Sequence, residues 1–134
     1  MSFSATVLRS YTDSSKTPIQ FQETVTDDTQ LPAFDGQIAA ATNNVEIFVS
    51  FTLANLKAIV LQCDQAVTIY TNNPSGSSPQ DTIPLVLGQA RIWTLQTDGS
   101  GACPFAGNVT AMYVTNTGGT IANLKIRGIC HQHS

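Results

Sequence analysis

The chain has 134 residues, a formal net charge of −3 and only 11% charged residues, against about 25% in an ordinary soluble domain. Seventeen Thr, eleven Ser, ten Gln and eight Asn stand in for the missing charge, beside 42% hydrophobic residues and six scattered Lys+Arg. This balance excludes a disordered charged tail, a coiled coil and a sequence-independent nucleic-acid binder. One domain with one core is expected at this length.

Met1-Ser2-Phe3-Ser4 has no basic or apolar leader character, and runs such as Ala58-Ile59-Val60-Leu61 are too short to span a bilayer, so neither secretion nor membrane insertion is expected. Cys63, Cys103 and Cys130 fit no zinc spacing and cannot all pair within one chain. Synthesis in a reducing host cytoplasm, with free thiols, follows as an expectation.

Along the chain, Ser4 to Tyr11 and Ile19 to Thr26 read as strands. They are separated and followed by Asp13-Ser14-Ser15, Pro18, Asp27-Asp28-Thr29 and Leu31-Pro32. Pro18 and Pro32 lack a ladder donor, so these strands should be edge-like or broken. Asp35-Gly36 reads as a turn, and Ala39 to Thr42 is the only stretch with helix preference. Residues 1–44 therefore read as an arm or edge-strand pair, with Phe3 to Leu31 expected to pack on another subunit or the surface of a larger assembly rather than only on their own domain; an edge-strand pair folded onto the chain's own sandwich is the alternative. Residues 45–134 read as the main β domain.

From Val45 the period is two. Val45, Ile47, Val49, Phe51 and Leu53 fall on one face and are expected in the core; Phe48 is the one large apolar residue on the other. Leu56 to Cys63 is nearly continuous apolar, as in a strand covered on both sides. Ala66 to Thr71 follows, then the loop Asn72 to Pro79. Ile83 to Leu87 and Ala90 to Leu95 flank Gly88-Gln89, and Val109 to Thr115 and Ile121 to Ile129 flank Asn116-Thr117-Gly118-Gly119; both pairs read as hairpins. Ala54-Asn55-Leu56-Lys57 recurs as Ala122-Asn123-Leu124-Lys125, each leading to a cysteine. The fold class is thus all-β: a jelly-roll-like sandwich of about seven to nine short antiparallel strands behind an N-terminal arm, with no helix beyond about two turns. An immunoglobulin-like sandwich is disfavoured because Cys103 precedes Pro104 in a Gly-rich loop.

Catalytic residues are not expected. The two histidines, His131 and His133, lie in the last four positions, and most acids sit beside turn residues, where Asp serves the local backbone. Cys130-His131-Gln132-His133 has metal-ligand chemistry, but a polar tail with Cys130 half-buried is the plainer reading, so no metal or cofactor is expected. Asp27-Asp28 lacks the spaced oxygen ligands of a calcium loop. Tyr11, Tyr70, Tyr113 and Trp93 could form a sugar-stacking platform, though apolar contact between subunits accounts for them better. The interface candidates are Phe48, Val86, Trp93, Tyr11 and Phe21.

The cadence from Leu56-Lys57-Ala58-Ile59-Val60-Leu61-Gln62-Cys63 through Ala66 to Asn72, Asp81 to Leu85, Ile92-Trp93, Met112 to Asn116 and Leu124 to Arg127 resembles small β-sandwich virion proteins of tailed bacteriophages, such as capsid decoration (cement) proteins. The resemblance implies a non-enzymatic virion protein, often trimeric, that clamps major capsid subunits. It brings no catalytic residues. A carbohydrate-binding jelly-roll module of a tail fibre or surface protein is the alternative.

Overall fold

The computed structural model describes residues 2–12, 14, 18–87 and 89–131. Among the described residues ten strands run in chain order: β1 (Phe3–Tyr11), β2 (Ile19–Asp27), β3 (Thr29–Ile38), β4 (Thr42–Ile47), β5 (Leu56–Cys63), β6 (Val67–Thr71), β7 (Thr82–Leu85), β8 (Ala90–Thr94), β9 (Met112–Asn116) and β10 (Ala122–Cys130). The longest described helix is the single turn α1 (Leu95–Asp98).

Strands β3 to β10 form two four-stranded antiparallel sheets, ordered β3-β10-β5-β8 and β4-β9-β6-β7. The pairs β3·β10, β4·β9, β5·β8 and β6·β7 are nested, the first strand with the last and so inward. The chain is one long hairpin wrapped into a sandwich, which is the jelly-roll arrangement. Its core is one cluster between the sheets, including Leu61, Ile69, Met112, Val114, Leu124 and Ile126, all completely buried.

The alternation from Val45 does set the core face: Ile47, Val49 and Phe51 are buried, and Val45 and Leu53 pack against them. Strand β4 nevertheless stops at Ile47, because the Val49 N–H turns back to the Ile47 carbonyl at 3.2 Å. That tight reversal throws Phe48 outward at 88% exposure. Phe51 then bridges Val109 and meets the Phe105 ring edge-on at 5.0 Å.

The sandwich begins at Thr29, ahead of the expected boundary at Val45, because β3 pairs with β10 and puts Leu31 and Ile38 into the core. Pro32 is accommodated because β3 is an edge strand and its register shifts opposite Arg127. Asp35-Gly36 lies inside β3, opposite Lys125 and Leu124, and is not a turn. Two expected hairpins are also corrected. β7 and β8 belong to different sheets, as do β9 and β10. Turn chemistry marks where the chain reverses, but after each of these two turns the next strand crosses to the opposite sheet.

The repeated Ala-Asn-Leu-Lys segments open β5 and β10, which are antiparallel neighbours in one sheet. After Cys63, the Asp64 N–H reaches the Asn123 carbonyl at 3.3 Å; after Cys130, the His131 N–H reaches the Asn55 carbonyl at 2.8 Å. The echo is therefore a local two-fold relation within a single sheet.

Candidate functional site

Strands β1 and β2 form a separate two-stranded ladder with Phe3 opposite Asp27 and Tyr11 opposite Ile19. The side-chain period of two divides the hairpin into faces. One carries Ser4, Thr6, Leu8, Gln20, Gln22 and Thr24, all exposed. The other turns onto the outer face of the β3-β10-β5-β8 sheet, where Val25 is buried with Ala58 and Ile129 and packs with Phe3 and Ala5. This explains why β5 is apolar on both sides: Leu61 faces the core and Ala58 faces the hairpin. The expected strands of the N-terminal arm thus form, and they lie on their own sandwich.

Farther out, the same face becomes a polar clasp on β8 and α1. Glu23, 6% exposed, accepts hydrogen bonds from Thr94 Oγ1 at 2.8 Å and Thr97 Oγ1 at 2.7 Å. Arg9 donates from Nη1 and Nη2 to the two Asp98 oxygens at 2.9 and 2.6 Å. Burial pushes the Glu23 carboxyl up, but the hydrogen bonds from Thr97, Thr94 and Gln96 and the Arg9 charge outweigh it and hold it below its usual range. The Arg9 hydrogen bonds likewise hold Asp98 low.

Beyond the clasp the face loses its cover. Tyr11, Ile19 and Phe21 follow Arg9 and Glu23 on that side, yet they are 62%, 68% and 47% exposed. The inner face of the hairpin thus ends in three large apolar side chains that its own domain leaves exposed. Between the hairpin and the sheet runs a groove of about 320 Å³, bordered by Val7, Val60, Ile92 and Gly128.

Of the sequence-selected interface residues, the fold brings Tyr11 and Phe21 together on this tip. Phe48 and Val86 are exposed but far from each other: β4 and β7 run in opposite directions, so the residues after them lie at opposite ends of the sandwich. Trp93 is a correction. It is only 4% exposed, packs in the core, and its indole N–H donates to the Gly99 carbonyl at 2.8 Å. The α1 turn after β8 supplies that acceptor and lets a tryptophan be buried with its polar atom satisfied. The sugar platform is divided accordingly. Tyr70 and Tyr113 pair across β6 and β9, whereas Tyr11 is on the hairpin over the other sheet.

A second cluster sits at the root of the hairpin. The bend between β2 and β3 brings Asp27 and Asp28 to the end of β10, where His131 Nδ1 lies 2.7 Å from Asp27 Oδ1 and 3.5 Å from Asp28 Oδ2. The His131 hydrogen bond and the Asp28 N–H hold the Asp27 carboxyl below its usual range. Cys130, expected to be half-buried, is fully buried, so β10 sends its sulfur inward while His131 is exposed. Gln132 and His133, the rest of that tract, lie outside the described residues. Asp27-Asp28 and His131 have no visible connection in the sequence, where 104 residues separate Asp27 from His131. The legible signal was the doubled aspartate at a strand junction.

Comparison with family models, with curated proteins and with solved structures finds no match for this chain.

Proposed function

We propose that this chain is a non-enzymatic structural protein of a virion: a decoration protein, made in the host cytoplasm, that binds the major capsid shell as a homo-oligomer, taken as a trimer. One observation carries the reading. Tyr11, Ile19 and Phe21 continue the face with which the hairpin grips its own sandwich, and the sandwich leaves them exposed. Burying an exposed Ile or Phe side chain is worth roughly 1.5–3 kcal/mol. An apolar tip continuous with an existing contact face is therefore suited to a neighbouring subunit. Jelly rolls occur in viral capsids, and equally in lectins and cupins, so the fold accommodates the reading without selecting it. The six cations form no basic run in the sequence, and no described helix is long and apolar enough to cross a membrane.

The test is co-sedimentation of the purified protein with phage heads lacking decoration. Saturable, stoichiometric addition that is lost in a Y11S/F21S variant supports the proposal. Protein that stays in the supernatant at every concentration contradicts it.

The sugar-binding reading retains one supporting observation, the adjacent Tyr70 and Tyr113 on the outer face of the β4-β9-β6-β7 sheet, with Glu46 next to Tyr113. The burial of Trp93 takes away the largest ring of the expected platform.

A further inference from the structure

We propose that Asp27, Asp28 and His131 form a binding site for a divalent metal ion of the borderline class represented by Zn²⁺. Their three ligand atoms, one imidazole nitrogen and two carboxylate oxygens, lie within 4.8 Å of one another. The donors come from two ends of the chain, brought together because β3 and β10 are sheet neighbours with Thr29 opposite Cys130. A single ion pair would need one carboxylate; here two face the same ring nitrogen.

The two separations from the imidazole nitrogen lie near those of coordination. Ligands about 2.0–2.2 Å from zinc stand roughly 3.3–3.5 Å apart in a tetrahedron. The 3.5 Å separation of His131 Nδ1 from Asp28 Oδ2 already matches, and the 2.7 Å separation from Asp27 Oδ1 needs to open by about 0.6–0.8 Å. The supporting contacts orient the donors. Thr29 Oγ1 donates to Asp28 Oδ1 at 3.0 Å, leaving Oδ2 on the side of the imidazole. The Asp28 N–H fixes Asp27 Oδ1 at 2.8 Å, and the His131 N–H is anchored on the Asn55 carbonyl at 2.8 Å. Such outer contacts are what hold ligands in place for a metal.

The donor set also selects the ion. Calcium takes six to eight oxygens and Cu(I) prefers sulfur, whereas imidazole with carboxylate suits Zn²⁺ and its neighbours. Three protein ligands leave a fourth position for water or an external group. The bound ion would join the root of the hairpin, where Asp27 pairs with Phe3, to the end of β10. This is independent of any role of the hairpin tip.

The test is isothermal titration of chelator-treated, untagged full-length protein with ZnCl₂, in a C103S background that removes the only partly exposed thiol. The expected result is one Zn²⁺ per chain, with affinity falling ten- to a hundredfold or more in both D28N and H131Q. Zn²⁺ should raise the Tm of the parent protein and of neither variant. Circular dichroism without metal checks that both variants fold; His131 is exposed, so H131Q should. No binding up to about 1 mM Zn²⁺, or binding unchanged in D28N and H131Q, overturns the proposal.

Discussion

The Glu23 carboxylate of the hairpin accepts a hydrogen bond from the Thr94 hydroxyl of β8 at 2.8 Å, across 71 residues of sequence. A second hydroxyl, from Thr97, holds the other oxygen at 2.7 Å. An isolated two-stranded hairpin is marginal in water. This contact, the Arg9–Asp98 pair and the small apolar cluster around Val25 are what keep β1 and β2 on the sandwich.

Replacing Glu23 with Ala should therefore loosen the hairpin. Removing a hydrogen-bonded charged group and leaving two hydroxyls without it costs about 1–3 kcal/mol. The expected outcome is faster amide exchange and proteolysis within residues 3–27, with the sandwich still protected. Equal loss of protection in β5 and β10 would show that hairpin and sandwich unfold as one unit.

Acid should have the same effect. The folded-state carboxyls of Glu23 and Asp98 titrate below their ordinary values. Their stabilisation is complete above the unfolded-state pKa values, near about 4, and is lost as pH falls through the lower folded values. Exchange of the β1 and β2 amides should accelerate through that acid window and stay constant from pH 6 to 8. Hairpin protection that is unchanged down to pH 2 would contradict this account of the clasp.

Asn116 should be among the least replaceable polar residues. Its buried side chain donates to the carbonyls of Thr120 at 2.9 Å, Ile38 at 3.3 Å and Ala39 at 3.3 Å, and accepts from the Gly118 N–H at 3.2 Å. It thereby fastens the β9–β10 turn to the β3–β4 turn. Asn116→Ala removes all four of these hydrogen bonds, including the buried one to the Ile38 carbonyl, and should lower stability by about 1–3 kcal/mol, measured by urea unfolding. Gly128→Ala should be comparably harmful, since a Cβ there would stand 2.6 Å from the Ala58 carbonyl oxygen; overpacking of this kind costs about 1–3 kcal/mol.

Trp93 provides an optical check on the core. A buried indole bonded to the Gly99 carbonyl should emit at short wavelength and resist acrylamide, and oligosaccharides should not quench it. Strong quenching by sugars in the native state would contradict its placement.

Much of the sandwich was legible because period-two burial is written directly into Ile47, Val49 and Phe51, and double-sided cover into Leu56 to Cys63. The strand partners were not. Gly88-Gln89 and Gly118-Gly119 announce reversals, and nothing local distinguishes a return to the same sheet from a crossing to the other. β3 was hidden because Pro32 and Asp35-Gly36 read as breaks, whereas an edge strand with a register shift tolerates both. Trp93 was misplaced because its burial depends on an acceptor six residues away. The Asp27–His131 contact depends on β3 meeting β10, which only the completed fold supplies.

Assembly through the exposed tip of the hairpin, as proposed for Tyr11, Ile19 and Phe21, sets the mass of the protein in solution. Sedimentation equilibrium of the full-length protein, beside a variant carrying Tyr11→Ser, Ile19→Ser and Phe21→Ser, tests it most directly. The expected result is a discrete oligomer for the parent chain, with a trimer as the proposed state, and a folded monomer for the variant. A parent chain that is monomeric at tens of micromolar, or an oligomer that survives all three substitutions, would contradict it.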